Sequence, residues 1–233
     1  MPHSLTMPST PPAPPTIVLA SGSRYRAQLL GAAGITVVAD APDIDERALD
    51  HLFAELGPDG FAVELAHRKA AVARPRHPGA AVIAADQVGV LERRGRPPMM
   101  LTKQPAVEGA VDQLLELSGT THRLVNGLVV VAPDGRTAEG VDVQVVTMRR
   151  FTRHEAQAYV EAFTPFDTSG SYRLEDQDGM AAGEGFVVDV RGDDRSGVLG
   201  LPLPLLRRLL DRLMPGAAPV TAPVRESPRG SAQ

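Results

Sequence analysis

Two lysines, Lys69 and Lys103, stand among twenty-two arginines in this chain of 233 residues. Arginine is a planar fork that stays charged, whereas lysine is a compact, mobile point charge. A chain that writes nearly all of its cations as Arg and keeps Lys twice points to two places that use the ammonium itself. A compositional bias with two leftovers accounts for the counts as well, but the neighbourhoods favour the first reading. Lys103 lies in LTKQP, beyond a strand that ends at Asp86, and Lys69 lies in a helical stretch that follows Asp43, Asp45 and Glu46. Cations and carboxylates brought together suit phosphate and metal chemistry.

Five places along the chain carry candidate side chains. In LASGSRYR, residues 19–26, a strand feeds a small-residue turn that opens a helix. Unpaired backbone N–H groups and the positive helix end make an anion pocket there, to which Ser21 and Ser23 add hydroxyls and Arg26 a charged fork. The plainer alternative makes Ser23 an N-cap and leaves the arginines solvated. Neither a P-loop nor a dinucleotide-binding glycine pattern is present. PDIDE, residues 42–46, suits a divalent cation, and equally a helix N-terminus, where acids favour the dipole. Asp86, after a run of small apolar residues, either projects into a cleft at the sheet edge or simply starts a loop. SGSYRLEDQDG, residues 169–179, puts Glu175 on or just after a strand, with Tyr172 read as packing. RGDDRSGVLGLPL, residues 191–203, reads as a tight glycine-rich loop against a following helix. Asp193 and Asp194 there belong to the turn in preference to a metal's outer shell.

The elements that must position these groups follow from periodicity and breakers. Strands are predicted at Ile17–Ala20, Ile35–Ala39, Ala80–Ala85 with Val88–Leu91 as a possible continuation, Ser169–Leu174 and Phe186–Val190. A hairpin is predicted from Arg123–Val131 and Val141–Met148, turning at Pro133-Asp134-Gly135. Helices are predicted at Arg24–Ala33, Glu46–Leu56, Phe61–Ala73, Val107–Leu117, His154–Phe163 and Leu203–Leu213. Gly57 to Gly60 break the second from the third, and Arg93–Met100 reads as an irregular excursion. The order argues for an α/β fold with a sheet of mixed direction.

Composition bounds the function. A hydrophobic fraction of 43% supports a real core, and a net charge of −4 is unlike the basic footprint of a duplex-binding protein, so no nucleic-acid partner is expected. Without cysteine there are neither disulfides nor thiolate metal sites, and the six histidines lack paired helical spacing. Oxygen-ligated hard cations are the better expectation. Residues 1–15 and 215–233, rich in Pro, Ser and Ala, read as disordered tails around a domain at 16–214. With no signal peptide and no apolar run long enough to span a bilayer, no membrane association and a cytoplasmic compartment are expected.

Taken in order, LASGSRYRAQLL, PDIDE, a helix ending in HRKA, ADQ, KQP, SGSYRLE and VLGLPL resemble the Maf family of nucleoside triphosphate pyrophosphatases, over residues 16–214. The resemblance implies a mixed, curved α/β sheet in two lobes around a central cleft, similar to inosine triphosphate pyrophosphatases. It implies hydrolysis between the α- and β-phosphates, giving a nucleoside monophosphate and pyrophosphate, with Mg²⁺ or Mn²⁺. By residue it implies Asp86 as proton acceptor, Glu46 and Asp86 at the metal, Lys69 and Lys103 on phosphate, and Ser21, Ser23 and Arg26 in the phosphate-cradling turn. A homodimer is compatible with it.

The resemblance also bears on the base. Tyr25, Gln87 and Glu175 match the branch of the family acting on 7-methyl-GTP, not the branch acting on dTTP and UTP. A base methylated at N7 is cationic, which suits an aromatic face and a carboxylate. The chain departs from the family pattern at Arg24, at Thr102-Lys103-Gln104-Pro105, at Asn126-Gly127 and in a spacer over Gln177–Gly185. These departures bear on the geometry of Lys103 and the shape of the base pocket. Two alternatives stand beside the leading one: the same reaction on dTTP or UTP, and a non-catalytic nucleotide-binding regulator of septum formation.

Overall fold

Among the described residues, seven strands join in one mixed sheet, in the order β2-β1-β3-β5-β6-β7, with β4 pairing onto the edge of β3. The computed structural model describes residues 15–177, 180 and 184–216, so all but residues 15, 215 and 216 of the two predicted tails and most of the Gln177–Gly185 spacer lie outside the described residues. In chain order the strands are β1 (Ile17–Ala20), β2 (Val38–Ala39), β3 (Ala81–Leu91), β4 (Met99–Leu101), β5 (Thr121–Val131), β6 (Thr137–Met148) and β7 (Val187–Arg191). The helices are α1 (Arg24–Ala32), α2 (Leu52–Ala73), α3 (Val107–Leu117), α4 (Arg153–Phe163), α5 (Leu174–Gln177) and α6 (Leu203–Leu213). β2 and β3 flank β1 in parallel, while each neighbouring pair from β3 through β5 and β6 to β7 is antiparallel.

Side chains alternate faces along a strand, and β3 shows what each face does. Val82, Ala84, Val88 and Val90 meet α2, whose Ala66, Ala70 and Ala73 cover one end and Phe61 and Leu65 the other. On the opposite face, Ile83 and Ala85 join a core with α1 and α6, and Leu91 joins a separate core with α3 and α4. One sheet face therefore carries two cores, with a gap between them at Gln87. β5 repeats the division, with Leu128 and Val130 in one core and Leu124 in the other.

The small residues of α2 let it lie close on the sheet. A Cβ at Gly127 of β5 would fall 2.2 Å from the backbone carbon and oxygen of Ala62 in α2, so only glycine permits this approach. The close seat sets the short reach from α2 to Asp86.

Several local expectations need correction. β3 does not end at Asp86 but runs on through the suggested continuation at Val88–Leu91, because β5 pairs with it without interruption from Val82 to Val90. Met99 and Met100, read as the end of an irregular excursion, pair with β3 as β4. Ser169–Leu174 is not a strand, although Ser169 forms an isolated bridge to Lys103. Ser171 has φ 59°, a left-handed conformation that no strand tolerates, and Leu174 opens α5. The helix predicted from Glu46 begins as a one-turn 3-10 helix at Arg47–Leu49, and only two residues of Ile35–Ala39 pair as a strand. The predicted break at Gly57 stands as a kink in α2, with φ 67° and ψ 173°.

Candidate active site

The position of Asp86 follows from strand pairing. β1 accompanies β3 as far as Ala84 and β4 joins the same edge only at Gly89, so between them that edge of β3 has no neighbouring strand among the described residues. Asp86 shares the face of Val82 and Ala84, the face that meets α2, and Lys69 on α2 reaches it there. The Lys69 ammonium donates to Asp86 Oδ1 and lies 2.7 Å from Glu46 Oε1. Lys69 and Asp86 are both 7% exposed. Glu46 comes from the acidic cluster ahead of α2. Its neighbour Asp45 instead accepts from the Ala48 amide at 3.2 Å, within the turn that leads into α2.

The two carboxylates differ in temper. Burial pushes the Asp86 carboxyl above the usual range, and Lys69 and Arg26 only partly oppose it. Burial also acts upward on Glu46, but Lys69, Lys103 and Arg26 together outweigh it and hold that carboxyl below its ordinary value. Glu46 thus stays ionised, while Asp86 is the more ready proton acceptor.

The β1–α1 turn supplies the next wall. Ser23 caps α1, accepting from the Arg26 amide at 3.4 Å, so its reading as an N-cap is correct. The idea that Arg26 is solvated is not: it is buried, donating from Nη1 to Ser21 Oγ at 3.0 Å and from Nε to the Gly200 carbonyl at 2.8 Å. Burial lowers its pKa, opposed by Asp86 and Glu46, but a guanidinium stays charged even so. Asp194 is a turn residue, accepting from the Ser196 amide at 2.7 Å.

A cavity of about 690 Å³ gathers these groups. Ser21, Ser23, Tyr25, Arg26, Glu46, Lys69, Asp86, Gln87, Lys103 and Glu175 all line it, so these ten candidate side chains meet in one cleft, whereas Asp43, Asp45, Asp193 and Asp194 do not line it. The guanidinium of Arg24 lies 5.1 Å from the centre of the Tyr25 ring. Glu175 is exposed on α5 at the opening, and Tyr172 packs in the wall with its hydroxyl 2.7 Å from His122 Nε2. A second cavity of about 520 Å³ adjoins the first and shares Glu46, Asp86 and Lys103 with it.

The sequence reading missed a row of polar side chains across the sheet, half-buried at Gln87 and buried beyond it. Gln87, Asn126 and Asp142 stand in register on β3, β5 and β6, with Gln144 beside Asp142. Asn126 is 0% and Gln144 1% exposed. The signal was present in the letters: a lone Asn inside an apolar strand is a polar group that folding must satisfy.

Among the described residues, no three His, Cys, Asp or Glu side chains gather to hold a metal ion by themselves. Glu46 and Asp86 nevertheless converge on one ammonium. Two carboxylates suit Mg²⁺ or Mn²⁺, which readily complete their shell with phosphate oxygens and water. The donor set fits such an ion in company with a polyphosphate.

A family model described as Maf-like protein matches residues 16–213. A 7-methyl-GTP pyrophosphatase from Nitrosococcus oceani is 36% identical over 202 residues, covering 86% of this chain and 94% of that protein. One from Bordetella pertussis is 35% identical over 214 residues, covering 91% and 98%. A nucleoside-triphosphatase, or dITP/XTP pyrophosphatase, of known structure from Mycobacterium abscessus superposes with a TM-score of 0.35 at 14% identity, over 58% of this chain and 75% of that one. That superposition is too loose to bear on fold or activity.

Proposed function

This chain belongs to the Maf-like family, and from that premise we propose that it is a pyrophosphatase cleaving the α–β bond of a nucleoside triphosphate, with 7-methyl-GTP its preferred substrate. One observation carries the reading: the buried Lys69 ammonium, flanked by Glu46 and Asp86, heads a cleft that Arg26 and Lys103 also line.

The chemistry follows from what these groups can do. An ammonium has three N–H donors. Two point to Glu46 and Asp86, which leaves one for a phosphate oxygen. Asp86 takes a proton from the water that attacks the α-phosphorus. The new P–O bond forms as the bond to the α–β bridging oxygen breaks, giving the monophosphate and pyrophosphate. Lys69, Lys103 and Arg26 neutralise the charge that builds on the departing pyrophosphate. Glu46 and Asp86 are the residues that would hold Mg²⁺ or Mn²⁺, and such an ion supplies further charge neutralisation on the phosphate oxygens. At the cleft opening, Tyr25 offers a π-face to a cationic base and Glu175 a carboxylate to its N–H edge. The names of the relatives support the same substrate.

The test is a panel of triphosphates with Mg²⁺, scored for pyrophosphate release by the wild type and by Glu175→Gln. The expected result is fastest release from 7-methyl-GTP, and a loss of about tenfold on it in the variant, the lower end for a hydrogen bond to a charged group because Glu175 is exposed. A wild-type preference for dTTP or UTP overturns the base assignment, and no release from any triphosphate overturns the reaction.

A further inference from the structure

Gln87 lines the cleft, but its amide is already committed. Its Nε2 carries two hydrogens and lies 2.9 Å from the Gly197 carbonyl, 3.1 Å from the Val198 carbonyl and 3.1 Å from Asn126 Oδ1. Only its Oε1 is left over to meet a ligand. Asn126 Nδ2 donates to the same Gly197 carbonyl at 2.9 Å and to Asp142 Oδ2 at 3.1 Å, and Gln144 Nε2 donates to that carboxylate oxygen at 2.8 Å. The row is built to hold the loop from Gly197 to Gly200. The loop sits flush on it: a Cβ at Gly197 would lie 2.3 Å from Gln144 Nε2 and 2.5 Å from Asp142 Oδ2.

The loop's far end is tied to the phosphate side of the cleft. Arg26 Nε donates to the Gly200 carbonyl, and Ser196 Oγ accepts from the Leu203 amide at 2.9 Å, fixing the loop to α6. Val198, Leu199 and Gly200 form part of the cleft wall, whereas Asn126, Asp142 and Gln144 do not reach it.

We propose that Asn126, Asp142 and Gln144, which do not reach the cleft, are positioning residues for base choice: together with Gln87 they set the Gly197–Gly200 wall against which the base must fit. The proposal rests on the reading of the cleft as a nucleotide site. A wall shifted by a fraction of an ångström changes the fit of one base against another. A purely structural row would alter turnover of all substrates alike.

The experiment is a double-mutant cycle on the full chain with Gln87→Leu and Asn126→Ala, read as the ratio of kcat/KM between the two triphosphates that the wild type separates best. The expected result is that each single variant lowers that ratio by about tenfold, a hydrogen-bond-sized effect, and that the double variant lowers it no further than either alone. Asp142→Asn, remote from the cleft, should lower the ratio in the same direction. If Asn126→Ala does not accumulate as folded protein, Asn126→Ser, which keeps a hydroxyl donor, replaces it. A ratio that collapses in Gln87→Leu but is unmoved in the Asn126 variant overturns the proposal, as do multiplicative effects in the double variant. A wild type that prefers some base other than 7-methylguanine defeats the substrate reading while leaving this cycle fully interpretable. A wild type with no discrimination at all defeats both.

Discussion

Replacing Asp86 by Asn separates catalysis from stability. The change is isosteric, and it leaves Lys69 with a full ion pair to Glu46 at 2.7 Å and an amide oxygen where the Asp86 carboxylate stood. Breaking a buried pair costs about 3–5 kcal/mol when it strands a charge, and no charge is stranded here. What disappears is the burial penalty on an ionised carboxylate, the dominant influence on this group. Because burial raises the folded-state pKa, the folded protein binds more protons than the unfolded chain between the ordinary aspartate value and the folded one. Its stability therefore falls as pH rises across that window, and the penalty is complete only above the raised folded-state value. Asp86→Asn should therefore melt at or above the wild type, with a gain of about 1 kcal/mol, typical of relieving a strained active-site group, or about 2–4 °C for a chain of this size. The gap should close as pH is lowered toward 3.8, the ordinary aspartate value.

Turnover should move the opposite way. Loss of a general base costs about 10²–10⁴ in rate, while nucleotide affinity holds, since one negative charge has left a site that receives a polyanion. Calorimetry at pH 7 and near pH 4, pyrophosphate release, and titration with nucleotide together read all three quantities. A variant that melts several degrees below the wild type at pH 7 would show that Asp86 is chiefly the structural partner of Lys69. A variant that keeps more than a tenth of the wild-type rate would remove Asp86 from the reaction.

Gly127→Ala should drive a methyl group into the Ala62 backbone, where no side chain can yield. Overpacking of that kind costs about 1–3 kcal/mol, and because the seat of α2 sets the Lys69–Asp86 contact, kcat should fall together with the melting temperature; melting within 2 °C of the wild type, on the scale of about 2–4 °C per kcal/mol, would show that the close approach is dispensable. Lys103→Ala removes an exposed side chain whose backbone, not its ammonium, makes the bridge to Ser169. It should lower kcat/KM about tenfold, as loss of one charge-assisted hydrogen bond, with stability unchanged within about 0.5 kcal/mol; equal kcat/KM in the two proteins would take Lys103 out of the phosphate site.

Where sequence pattern and local chemistry agreed, the elements were legible. Leu114 and Leu117 in α3, and Leu206, Leu209, Leu210 and Leu213 in α6, are buried as helical spacing required, and Ser23 starts α1 where a capping residue should. The errors came where long-range pairing overruled local signs. A charge at Asp86 looks like a strand end, but β5 holds the backbone straight through it. Met99 and Met100 follow two prolines and look irregular, yet the edge of β3 offers them a ladder. Ser169–Leu174 has strand-like letters, but the chain turns through a positive φ at Ser171 to bring Arg173 and Glu175 round to the cleft opening. The gathering of the catalytic candidates came from the order of the motifs, because no local rule brings Lys69 and Asp86 together.

β6 shows most sharply what alternation alone conceals. In VDVQV, residues 141–145, the valines are the apolar set, and a local reading turns them inward and Asp142 and Gln144 outward. The structure does the reverse: Asp142 and Gln144 are buried and the valines only half-buried. Ala138, Val146 and Met148 share the face of Asp142 and Gln144 and lock the register through their two cores. Pairing with β5 then stacks Asp142 against Asn126, and Asn126 against Gln87. Buried polar groups are costly unless satisfied, and these satisfy one another and the Gly197 carbonyl. Between the core under α6 and the core under α3 and α4, this face is thus taken up by polar groups that seat the Gly197–Gly200 loop, and it is that loop and Gln87, not the rest of the row, that reach the cleft.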